Sequence, residues 1–154
     1  MYRKILVPLD GSALAEGILP QVNELARVHQ AQVLLLRVGF ALVFPGTDPA
    51  EAQVGTIVEA ENYIEGVRKR MTAEGLEVET AVRYGFPAEE ILTHARRNKV
   101  DLIAMATHGR TGPARWVLGS VAEQVLRQAD VPVLLFRLPK AAHLKEPAAK
   151  YATA

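Results

Sequence analysis

Four short runs, Ile5 to Leu9, Val33 to Val38, Leu102 to Ala106 and Val131 to Phe136, are almost continuously apolar and separated by stretches of helical periodicity. A strand with apolar residues on both sides must be covered on both faces, which an antiparallel sheet open to water on one side does not provide. The helical stretches between them, Ala13 to His29, 49 to 74, Pro87 to Asn98 and Val121 to Gln128, supply that cover. In the second, Val54, Ile57, Val58, Ile64, Val67 and Met71 form one stripe, closed by Gly75 as a stop. Pro87 opens the third, where a missing N–H costs nothing, and Pro20 is expected to kink the first.

A fifth segment behaves differently. Val78, Thr80, Val82 and Tyr84 alternate with Glu77, Glu79, Ala81 and Arg83, the pattern of a half-exposed strand at an edge. Pro132 lacks a ladder donor and suits the opposite edge. The β-α alternation predicts a single α/β domain over 1–138, a Rossmann-like open five-stranded parallel sheet of order 3-2-1-4-5 with right-handed crossovers and helices on both faces. Gly39 to Asp48 is a long connection that forms a lid or wall at one end of the sheet. Residues 139–154 carry no apolar stripe and read as a C-terminal tail.

Composition narrows the function. Eighteen basic against seventeen acidic residues leave a net charge of +1, too little for an electrostatic footprint on nucleic acid or an anionic membrane. The basic clusters at Arg68 to Arg70 and Arg96 to Lys99 fall on helix faces and read as solvated surface. The absence of cysteine excludes thiol catalysis and Cys-based metal sites, and no secretory leader or membrane span is visible, so a cytoplasmic protein is expected.

In a doubly wound sheet, ligands bind beyond the carboxyl ends of the strands where strand order reverses. Two strand ends carry unusual punctuation there: Pro8-Leu9-Asp10-Gly11-Ser12, and Thr107-His108-Gly109-Arg110-Thr111-Gly112. The second loop leads through Trp116 to Gly119-Ser120-Val121-Ala122-Glu123. Ser120 and Glu123 make a capping box on one reading, while on the other the glycines and the helix N-terminus cradle a phosphate. Asp10 equally suits an Asx turn or helix cap, and Val38 and Met105 suit the core. The histidines are too scattered for a metal set. Neither a GxxxxGK[ST] loop nor a GxSxG elbow is present, so no catalytic residue is assigned and catalysis is expected to be absent or slow.

These segments, with Val131-Pro132-Val133-Leu134, resemble the universal stress protein family over nearly the whole chain to about residue 138. Nucleotide-binding members of that family carry glycine, two residues, glycine, nine residues, glycine, then serine or threonine. Gly109, Gly119 and Ser120 match that spacing, and Ala106 stands in place of the first glycine. Its methyl either crowds the ribose and phosphate or points into the sheet. The resemblance implies an adenine nucleotide, ATP or AMP with Mg or Mn, as ligand of a stress-response regulatory module acting on a protein partner. It places Asp10 at the ribose or base, Pro8 and Val38 beside the base, Met105 and Ala106 beneath it, and Gly109, Gly119, Ser120 and Val121 at the phosphates. It also implies a homodimer joined through the Val131 to Phe136 edge. The competing reading is a nucleotide-independent dimeric scaffold in which the loop only caps a helix.

Overall fold

The structure is a computed structural model that describes residues 1–40, 44–107 and 119–137. Five strands, β1 (Lys4–Pro8), β2 (Gln32–Gly39), β3 (Val78–Tyr84), β4 (Leu102–Thr107) and β5 (Val133–Arg137), form one sheet of order β3-β2-β1-β4-β5. All four pairings are parallel. Sheet order and parallel direction are those expected from the apolar runs and the alternating edge strand.

Side chains alternate across the pleat into two cores. Ile5, Val7, Val33, Leu35 and Ala104 pack with α2 (Leu19–His29) and α3 (Pro49–Ala73) through Val22, Ile64, Val67 and Met71. Leu6, Leu34, Leu36, Ile103 and Met105 pack on the opposite face against α4 (Pro87–Arg97) and α5 (Ser120–Gln128) through Ile91, Leu92 and Val125. At the lower edge, the Asp101 carboxylate accepts the amides of Arg3 and Lys4 at 2.7 and 2.8 Å and fixes the start of β1 beside β4.

Four local expectations change. The first helix is two: α1 (Ala13–Glu16) closes on Gly17 and α2 begins at Leu19. Pro20, in the first turn of α2, has no N–H to donate to the Glu16 carbonyl, so the break falls ahead of it rather than as a kink within one helix. β5 starts at Val133, not Val131, because Pro132 contributes only its carbonyl, which accepts the Ile103 amide at 3.0 Å. The apolar stripe of α3 is buried only in its later part, at Ala60, Ile64, Val67 and Met71, while Val54 and Val58 are 60% and 48% exposed. The last change concerns Ser120. Gly119 is the N-cap of α5, which puts Ser120 one residue inside the helix and makes no side-chain cap bond. Glu123 pairs with Arg127 at 2.7 Å instead of reaching back, so there is no capping box.

The basic clusters lie at the surface as read from the sequence, although Lys99 falls past the end of α4 in the turn that follows it. Arg68 pairs with Glu65, Arg70 with Glu16, and Arg96 with Asp130 at 2.6 Å. No described helix is long and apolar enough to cross a membrane.

Two consequences can be measured. Leu35 is fully buried in the centre of the sheet, so Leu35→Ala should cost about 2–5 kcal/mol in urea unfolding through lost burial and an unfilled cavity. His94 on α4 is 4% exposed, and its Nε2 has no partner among the described residues. Burial first, then the charges of Arg83, Arg97 and Lys4, hold its pKa below the ordinary value. The unfolded chain therefore binds that proton more readily than the folded one. Stability is full above the ordinary histidine pKa of about 6.5 and declines as the pH falls below it. His94→Leu should flatten the difference between urea midpoints measured at pH 7.5 and pH 5.5.

Candidate functional site

Parallel pairing brings every strand's carboxyl end to one edge. β1 lies between β2 and β4, and its successor α1 and the helix after β4 leave toward different faces, which opens a crevice beyond Pro8. A cavity of about 250 Å³ occupies it. Eight of the nine residues assigned from the sequence line it: Pro8, Asp10, Val38, Met105, Ala106, Gly119, Ser120 and Val121. Gly109 lies outside the described residues, as do His108, Arg110 and Trp116.

The floor comes from the ends of β1, β2 and β4. Leu9 donates its amide to the Leu36 carbonyl at 2.9 Å, which extends the β1–β2 ladder to the lip of the crevice. Val38 and Met105 belong both to the core beneath and to the cavity wall, so the core reading and the site reading hold together. The Ala106 methyl packs against the core on the α1 side and also lines the cavity.

Asp10 makes the Asx turn. Its Oδ1 accepts the amide of Ser12 at 2.9 Å and the Ser12 hydroxyl at 2.5 Å. The intervening Gly11 has φ +87°, a conformation that disfavours side chains. Ser12, not Asp10, is the cap of α1: its Oγ accepts the Ala15 amide at 3.1 Å. One Asp10 oxygen thus fixes the loop. The carboxylate keeps further acceptor capacity, and Asp10 lines the cavity.

Behind the loop, the Tyr63 hydroxyl of α3 donates to Glu16 Oε2 at 3.1 Å, and Arg70 pairs with the other oxygen of Glu16. Burial, followed by the charge and hydrogen bond of Glu16, raises the Tyr63 pKa, so the phenol stays a donor across the biological pH range. This trio ties α1 to α3.

Across the crevice, α5 points its N-terminus at the cavity. Its first helical bond runs from the Glu123 amide to the Gly119 carbonyl at 2.9 Å, so the amides of Ser120, Val121 and Ala122 precede the helix's own bonding. With glycine at the N-cap and no side-chain cap bond among the described residues, they and the positive end of the helix dipole suit an anion.

Sequence reading did not assign Arg37, Pro87 or Ile91 to the site, and all three also line the cavity. Arg37 had a visible signal, a cation inside an otherwise apolar strand. Its guanidinium donates to the Val38 carbonyl at 3.0 Å and lies beside Gly11. Pro87 and Ile91 carried no such signal, because helix initiation and core packing explain them fully. No group of three His, Asp or Glu side chains able to hold a metal occurs among the described residues.

Comparison with known proteins fits this geometry. The model of the universal stress protein family matches residues 1–137. Universal stress protein MJ0531 of Methanocaldococcus jannaschii is 35% identical over 91% of this chain and 85% of its own. The solved structure of MJ0577, from the same organism, is 31% identical, covers 90% of this chain and 98% of its own, and superimposes with a TM-score of 0.75. A universal stress protein solved in complex with cAMP shares the fold at 20% identity and a TM-score of 0.69, covering 88% of this chain and 97% of its own.

The local argument makes one prediction. Ser12→Ala removes the cap of α1 and one of the two bonds that hold Asp10, and should lower stability by about 1 kcal/mol in urea unfolding.

Proposed function

The chain belongs to the universal stress protein family, and from that premise we propose that it is an adenine-nucleotide-binding regulatory module of the stress response. The observation that carries the reading is the convergence of three features on one cavity: apolar walls from Val38, Met105, Pro87 and Ile91, the positioned Asp10 carboxylate, and the uncapped N-terminus of α5. A nucleotide has the same three parts in the same succession, an apolar ring, a diol and an anion. The cAMP complex of a protein with this fold supports an adenine nucleotide as the ligand class.

In this reading the base lies between Val38 and Met105 beside Pro8, with Ala106 beneath the sugar. Asp10 accepts from the ribose hydroxyls. The phosphates meet the amides of Ser120 and Val121, with Gly119 allowing close approach; Gly109, which the family pattern assigns to the same phosphates, lies outside the described residues. ATP or AMP is the ligand, and Mg or Mn, when bound with ATP, neutralises phosphate charge. At about 250 Å³ the cavity suits a base and sugar, with the phosphates at its mouth over α5. In this reading the role is binding and signalling to a protein partner rather than turnover: the Ser12 hydroxyl, bonded to Asp10, serves the loop turn and the cap of α1.

The same reading includes a homodimer through the β5 edge. That strand is apolar over Val133 to Phe136, and Leu134 is 37% exposed. Two copies meeting about a two-fold axis would cover both edges. Leu134→Lys should convert a dimer to a monomer near 16.8 kDa in light scattering.

Calorimetric titration tests the ligand. ATP or AMP should bind, and Gly119→Val should weaken binding by about tenfold or more, equivalent to about 1.4 kcal/mol, by blocking phosphate approach. Ala106→Gly should tighten it by removing the methyl from the cavity wall. An absence of heat and thermal shift at millimolar ATP, ADP and AMP would leave the nucleotide-independent scaffold as the better account.

A further inference from the structure

β3 ends the sheet on the side away from β5, and no other described strand pairs with it there. Its register sets which backbone groups stay free. The Glu77 carbonyl accepts the Val33 amide at 2.9 Å and the Gly85 amide donates to the Gly39 carbonyl at 3.0 Å, so the odd-numbered residues turn their N–H and C=O toward β2. Those of Val78, Thr80, Val82 and Tyr84 turn outward. The Arg83 guanidinium donates to the outward Val82 carbonyl at 2.8 Å, and an oxygen with two lone pairs still accepts a second bond. A cleft of about 660 Å³ runs past residues 79–83, between Glu61 and Asn62 of α3 on one side and His94 and Asn98 of α4 on the other. Both helices therefore stand back from the edge and leave its backbone open to an incoming strand.

The side chains decide which strand that is. Glu79, Ala81 and Arg83 share one face of β3, the face on which Ala81 packs against the α4 and α5 core. Glu79 and Arg83 are exposed, and neither has an ion-pair partner among the described residues. One Glu79 oxygen accepts the Gln32 amide at 2.9 Å, which leaves the carboxylate further acceptor capacity. Four residues apart at about 3.3 Å each, the two charges are too distant to pair with one another.

Charges on an edge ordinarily ward off other strands. Here their signs are placed so that a reversed copy of the same strand matches them. In an antiparallel pair centred on Ala81, Glu79 faces the second copy's Arg83 and Arg83 faces its Glu79, while Val78 faces its Tyr84 and Thr80 faces its Val82. The backbone agrees with this register. Outward-turned residues face outward-turned residues and exchange hydrogen bonds, and residues 79, 81 and 83 form the closer, non-hydrogen-bonded pairs.

We infer that the β3 edge is a second self-association surface, on which another copy of this chain docks antiparallel about a two-fold axis through Ala81. It lies at the opposite edge from β5 and shares no residue with the cavity lining, so it forms independently of nucleotide and alongside a β5 contact, joining dimers end to end. An edge that carries two charges pairs more weakly than the apolar β5 edge, so the test traps the contact covalently.

The chain has no cysteine, and an introduced one therefore reports a single place. Opposite residues of a non-hydrogen-bonded pair have Cα atoms about 4.5 Å apart, within the span a disulfide bridges. Under mild oxidation of the full chain, Ala81→Cys should give a linked dimer about tenfold faster than Val28→Cys, at an exposed position on α2, because pairing raises the effective concentration of the two thiols. A mixture of Glu79→Cys and Arg83→Cys chains should link to each other faster than either links to itself. Adding Glu79→Arg to Ala81→Cys should slow linking to the Val28→Cys rate, and adding Arg83→Glu as well should restore it, since the reversed pair is again complementary. That restoration also shows that the variants fold. Linking of Ala81→Cys no faster than Val28→Cys overturns the inference, as does indifference to Glu79→Arg or failure of the double reversal to restore the rate. Rapid linking that Leu134→Lys abolishes overturns it in favour of the β5 contact.

Discussion

Parallel pairing of β1 with both β2 and β4 governs everything above it. Leu6 faces Leu34 on one side and Ile103 on the other, and each partner is buried to 2% exposure or less. This central ladder brings three strand ends to one lip and sends the following helices to opposite faces. Shifting β1 by one residue would exchange its Leu6 face for its Ile5 and Val7 face and misplace both cores. The crevice is thus a by-product of how the apolar runs are covered, and its depth is set by where Pro8, Val38 and Met105 stop.

Chemistry at the crevice comes from groups left partly free by that packing. Asp10 is committed through one oxygen to Ser12, which orients the carboxylate without consuming it. Among the described residues the opening amides of α5 have no side-chain cap, because glycine holds the N-cap position. The link from Tyr63 and Arg70 to Glu16 joins α1 to α3, so the Asp10 loop that leads into α1 is braced against the long helix on that face.

Most of the fold was legible because strand and helix periods differ so clearly here, and because Pro132 and the alternating Val78–Tyr84 segment marked the two edges. The site was legible in position through glycine and aspartate punctuation at two strand ends. Its details were less so. A sequence shows that Ser120 and Glu123 have capping-box spacing, but which residue starts the helix depends on the chain's path into α5, and a one-residue offset removes the box. The stripe along α3 misled for a related reason: Val54 and Val58 lie round the helix from the face that Ala60, Ile64, Val67 and Met71 bury, so their apolar character was not a sign of cover. Arg37 was readable as a cation in an apolar strand, whereas Pro87 and Ile91 serve ordinary structural purposes and reach the cavity only through the tertiary fold.

The central claim is that the cavity between the Asp10 loop and the start of α5 receives a nucleotide with its phosphates at the helix. Backbone amide shifts recorded while AMP or ATP is added to the labelled protein test it most directly. The account predicts saturable shifts concentrated at Asp10 to Ser12, at Val38 and at Gly119 to Ala122, with the α5 amides moving most for ATP. Saturable shifts confined to other elements, or none at millimolar nucleotide, would contradict it.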